Sequence, residues 1–95
     1  DAEVRRVEMK LVFCGTPAQV NVPTSGPDEP VYLNFGGRFP NNLFSVVIWG
    51  KVAGDQRDSL KDRYTGKALR VRGLVEEHNG RPEITVGSLK DIRIE

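Results

Sequence analysis

The chain has 95 residues, 38% of them hydrophobic and 28% charged. That describes one small globular domain, residues 1–95, too apolar for a disordered chain and near the low end of what a single core stabilises unaided. A single cysteine, Cys14, excludes an intramolecular disulfide and a thiolate metal cluster, and the absence of an apolar run of about 18 residues excludes a transmembrane helix.

The net charge of +1 conceals an asymmetry. From Arg38 to Arg72, eight basic residues (Arg38, Lys51, Arg57, Lys61, Arg63, Lys67, Arg70, Arg72) stand against Asp55, Asp58 and Asp62, so that segment is +5. The rest, six basic against ten acidic, is −4. Such a field steers a polyanion if the fold gathers the charges on one face. The chain opens on Asp1 rather than Met, as a processed protein or an excised fragment does, compatible with the cytoplasm or with export after processing.

Residues 1–6 are polar and expected to fray. From Val7 the chain alternates: Val7, Met9, Leu11 and Phe13 share one face, with Glu8 and Lys10 opposite, and Cys14 in this run reads as a buried, inert thiol. Gly15-Thr16-Pro17 interrupts the run, and Ala18, Val20 and Val22 resume it. Two readings stand: one long strand bent at the glycine so that it pairs with two neighbours, or a straight strand ending at Cys14 before a loop. Residues 23–30 (PTSGPDEP) form a loop with two acids.

Residues 31–50 hold five of the seven aromatic side chains and read as a hairpin, VYLNFGG, a polar break RFPNN, then LFSVVIWG. Val31, Leu33 and Phe35 share one face of its first strand, Tyr32 and Asn34 the other. In the second strand Phe44, Val46 and Ile48 oppose Leu43, Ser45, Val47 and Trp49, so that one of Phe44 and Trp49 faces outward. Residues 50–54 end the strand. Asp55 then caps a two-turn helix in which Leu60 and Tyr64 make one apolar stripe, stopped at Gly66. Residues 67–77 alternate again, with Leu69, Val71 and Val75 inward, Arg70 and Arg72 outward, and a bend at Gly73. Asn79-Gly80 is a strong hairpin turn, residues 81–86 return with Ile84 and Val86 inward, and Leu89, Ile92 and Ile94 pack a final extension on the first strand.

This order predicts an all-β fold with one short helix: an OB-fold, a five-stranded Greek-key barrel whose helix lies between strands 3 and 4. The segments YLNF (32–35), Pro40, FSVVIW (44–49), GKALRVRG (66–73) and Asn79-Gly80 resemble a group of bacterial OB-fold domains described as nucleic-acid-binding and related to tRNA-anticodon-binding domains. The resemblance covers about two-thirds of the chain, from Val31 onward. The first strand matches in pattern alone and lacks the usual G-K-x-V opening.

Nothing in the sequence composes a catalytic centre. His78 is the only histidine and sits beside a turn, far in sequence from Cys14, and Asp55, Asp58 and Asp62 read as capping and surface charges rather than a metal site. No cofactor, metal or enzyme activity is expected. What remains is a binding surface. Members of this fold take single-stranded nucleic acid on the face of strands 2 and 3, stacking bases on aromatic rings and meeting phosphates with cations. The residues expected there are Tyr32, Asn34, Arg38, Phe39, whichever of Phe44 and Trp49 faces outward, Lys51, Arg70 and Arg72. The alternative is a protein- or oligosaccharide-binding module of the bacterial cell envelope, which the acidic loop at 23–30 fits. A continuous basic face favours nucleic acid, and a broken or acidic one the alternative.

Overall fold

The computed structural model describes residues 4–24, 26, 28–78 and 80–95, with the side chains of 4–9 and 78 outside that description. Residues 1–3, Asn79 of the expected turn and the side chain of His78 therefore lie outside the described residues. The elements are β1 (Val4–Gly15), β2 (Gln19–Asn21), β3 (Val31–Phe35), β4 (Phe44–Ile48), α1 (Gly50–Ala53), a 3₁₀ segment (Gly54–Ser59), α2 (Leu60–Tyr64), β5 (Leu69–His78), β6 (Arg81–Thr85), a 3₁₀ turn (Leu89–Asp91) and β7 (Ile92–Ile94). The fold is mainly β, one sheet with one helical connection. Its strand order is β1-β5-β6-β4-β3-β2, with β7 on β5. Neighbours are antiparallel except β4 and β6, which run parallel.

The two strands at the margins of that order come from one run of chain, separated by Thr16, Pro17 and Ala18. β1 pairs with β5 and β2 with β3, so the interruption is where the run changes partner. Pro17, buried and without an amide hydrogen, cannot serve a ladder, and Ala18 N donates to Asn34 O at 2.8 Å to open the new pairing. β1 also starts earlier than its alternation suggests: Val4, Arg5 and Arg6 pair with His78, Glu77 and Glu76, and a register shift follows before Met9.

The core collects Val31, Leu33, Val46, Ile48, Leu69 and Val71, all fully buried, with Leu60 and Tyr64 from α2 closing on it. The rings of Phe13, Phe35 and Phe44 stand 5.2 Å apart, Phe35 stacked on Phe44 and Phe13 edge-on to both. Full burial of an aliphatic side chain such as Leu60 stabilises the fold by about 1.5–3 kcal/mol.

Four local expectations are corrected. The helical connection begins at Gly50 rather than Asp55, because Val52 N and Ala53 N both donate to Trp49 O (2.9 and 3.0 Å) and turn the chain straight off β4. Asp55 lies inside the 3₁₀ segment and caps nothing. Leu11 is exposed although Phe13, on the same side of β1, packs against the core, and Cys14, on the opposite side from Phe13, is exposed rather than buried. The tail pairs with β5, not with the first strand. β6 covers β5 only from Leu74 to His78, which leaves Leu69–Val71 free on that edge for β7.

Candidate nucleic-acid interface

On β3, Tyr32 and Asn34 point away from the core face, and across the ladder they stand opposite Val47 and Ser45 of β4. Residues 36–43 fold back over this face and leave a groove of about 350 Å³, whose walls include Tyr32, Phe39, Phe44, Asn21 and Arg81. Phe39 is 66% exposed at the rim, and Phe44 is half-buried, one side in the ring cluster and the other in the groove. The outward aromatic left undecided by the sequence is Trp49, 49% exposed, yet Phe44 is the one that lines the groove.

A buried amide–hydroxyl network holds the loop in place. Ser45 Oγ donates to Asn34 Oδ1 at 2.8 Å, Asn42 Nδ2 reaches Ser45 Oγ at 2.8 Å and Phe44 O at 3.1 Å, and Asn34 Nδ2 donates to Gln19 Oε1 at 3.0 Å. The same Gln19 oxygen accepts from Phe39 N at 3.0 Å, which fixes the backbone beneath the exposed ring. From the other side, Arg81 donates to Pro40 O, Asn42 O and Asn42 Oδ1 at 3.0, 2.9 and 3.2 Å. Asn34 is thus engaged at both amide atoms, a support for the groove rather than a free donor.

The electrostatics are mixed. Burial, then the carboxylates of Glu83 and Glu29, push the Tyr32 hydroxyl above its ordinary range, so it stays a neutral phenol and feels a negative field. Arg38 is exposed on the loop, and the Arg81 guanidinium is spent on the loop clamp. The face over β3 and β4 is therefore broken, not a continuous basic groove.

Of the nine residues expected at the site, Tyr32, Asn34, Phe39 and Phe44 meet at this groove. Arg38 rides the loop beside Phe39. Trp49 and Lys51 sit after β4 and on α1, outside the groove lining. Arg70 and Arg72 point outward from β5 and line a separate cleft with Lys90 and Arg93. Sequence reasoning missed Gln19, Asn42 and Arg81. Asn42 was visible only as part of a polar break, and nothing local marks Gln19 or Arg81, whose partners lie 15 or more residues away. Among the described residues no group of three or more His, Cys, Asp or Glu is placed to hold a metal ion, and no helix is long and apolar enough to cross a membrane. No family model, curated protein or solved structure matches the chain.

Proposed function

We propose that the chain is a non-enzymatic OB-fold module whose groove over β3 and β4 binds single-stranded nucleic acid weakly and with little sequence preference. The strand order supports the fold: one bent run supplies both margins of the sheet, as a five-stranded Greek-key barrel requires, and the helical connection falls between β4 and β5, the third and fourth strands when β1 and β2 count as one. The observation that carries the function is the meeting of Tyr32, Phe39 and Phe44 at one groove beneath a loop already held by buried hydrogen bonds. A ligand there does not bear the cost of ordering the loop. A base stacked on a ring contributes about 1–3 kcal/mol and needs no particular sequence.

Phe39→Ala removes the most exposed ring without touching the network. It is expected to weaken a labelled oligothymidylate about 5- to 150-fold in fluorescence anisotropy at low salt. Wild-type affinity in this variant, or a wild-type chain that ignores oligonucleotides at low salt, would sink the reading.

One observation favours a protein or oligosaccharide ligand instead. Glu83 and Glu29 act on Tyr32, and a broken, partly acidic face repels phosphate but accepts a neutral sugar ring or a peptide. On this second reading Phe39→Ala abolishes glycan or peptide capture while oligonucleotides bind neither form.

A further inference from the structure

The groove is short of positive charge, and a second surface supplies it. Arg70 and Arg72 project from the outer side of β5, Arg93 of β7 stands directly opposite Arg70 in the ladder, and Lys90 reaches in from the 3₁₀ turn. These four cations surround a cleft of about 300 Å³ completed by Val12 and Asp91. Among the described residues none of the four side chains enters a salt bridge. Among the described residues the carboxylates at hand are Asp91, on the wall, and Glu95, which accepts from the Cys14 thiol opposite Arg70.

Like charges directly opposed on neighbouring strands destabilise a sheet. A fold that sets Arg70 against Arg93, with Arg72 and Lys90 beside them, bears that cost with one carboxylate in the cleft to offset it. A polyanion lying across the cleft removes the cost. Arg70 and Arg72 are two residues apart on one face, about 6.6 Å, and Arg93 is one strand away, about 4.8 Å, so their guanidinium forks can grip successive phosphates bidentately. Val12, 48% exposed, adds an apolar floor for sugars or bases.

The ladder also gives the path between the two surfaces. Tyr32, Val47, Thr85 and Leu74 are successive register partners across β3, β4, β6 and β5. Three strand spacings, about 14 Å, separate the groove from Leu74, and Arg72 is two residues further along β5. We propose that the cleft between β1, β5 and β7 is a phosphate-binding site for the single strand whose bases occupy the groove. The ligand rests on the nucleic-acid reading above; the place of the site does not.

The test compares the wild type with R70Q/R72Q/R93Q and with Phe39→Ala. The probes are a labelled thymidine dinucleotide, too short to leave the groove, and a labelled oligothymidylate of about 20 nucleotides, longer than the about 4–16 that one such fold covers. With the long probe, the triple variant is expected to lose about 2 from the slope of log K against log salt, three contacts at about 0.7 each. Its affinity for the short probe should stay near wild type, and Phe39→Ala should lower affinity with its slope intact. Because the three arginines are exposed and outward, circular dichroism should show an unchanged fold. A wild-type slope in the triple variant, while the wild type binds, overturns the cleft alone. A wild type that binds neither probe overturns the nucleic-acid reading and the single strand as the ligand of the cleft. Titration with inorganic tripolyphosphate, followed by NMR at the arginine Nε–H groups, adds a direct readout: shifts at Arg70, Arg72 and Arg93 support the site, and none overturns it.

Discussion

Asn34 does two jobs with one amide. Its oxygen accepts from Ser45 at 2.8 Å, its nitrogen donates to Gln19 at 3.0 Å, and the residue is 2% exposed. A buried polar atom stripped of its partner costs about 1–3 kcal/mol, so this side chain holds loop and sheet together more firmly than an exposed contact would. Cys14 shows the opposite situation, an exposed thiol that is nonetheless subdued. Its hydrogen bond to Glu95 Oε1 at 3.1 Å, partial desolvation and the carboxylate's charge raise its pKa above the ordinary range, and Arg70 only partly opposes them. A higher pKa means less thiolate at any pH below it, hence slower alkylation. Glu95→Gln is expected to speed iodoacetamide labelling of Cys14 at pH 8, and an unchanged or slower rate would refute the carboxylate's role. The outward direction of Asn34 followed from strict alternation along VYLNF. Its partners did not, because Gln19 and Asn42 approach through tertiary folding that no local spacing records.

Residues 36–43 show how one loop decides the shape of a site. Gly36 has φ +79°, and a Cβ there would fall 2.5 Å from Leu43 Cγ. Gly36→Ala is therefore expected to destabilise the domain by about 1–3 kcal/mol in urea denaturation and to weaken any groove ligand as Phe39 moves. Unchanged stability would mean that the loop has room to rearrange. The helical connection was legible in part. Leu60 and Tyr64, four apart, announced a buried stripe, and Gly66, with φ +73°, stops the helix as its position suggested. The start was hidden because the turn at Gly50–Ala53 depends on bonds to Trp49 O, and its buried residues, Gly50 and Ala53, are too small to leave a hydrophobic pattern. Arg57 was legible only as a charge. It is 8% exposed, and its guanidinium donates to Pro23 O and to Glu29 O, tying the helical connection to the 23–30 loop.

At the scale of the molecule, strand periodicity carried most of the fold, since alternation placed the inward residues of β3, β4, β5 and β6 on the core. Charge was less readable. The basic excess counted between Arg38 and Arg72 is dispersed in space: Arg57 is buried at a loop and Lys51 lies on α1, while the cationic cleft draws Lys90 and Arg93 from beyond that segment. Strand β5 is the axis that brings these distant parts together, pairing with β1, β6 and β7. That arrangement has a mechanical consequence. Val4 lies at the His78 end of β5 and Leu69 at its other end, so tension between Val4 and Leu69 runs along β5 and loads its ladder with β1 in shear. The ten registered pairs of that ladder then resist together rather than one after another. Pulled between residues 4 and 69 in a force spectrometer, the domain is expected to yield in one high-force event. Pulled between residues 4 and 78, which are register partners, it should peel open at far lower force, and equal forces in the two directions would contradict this geometry.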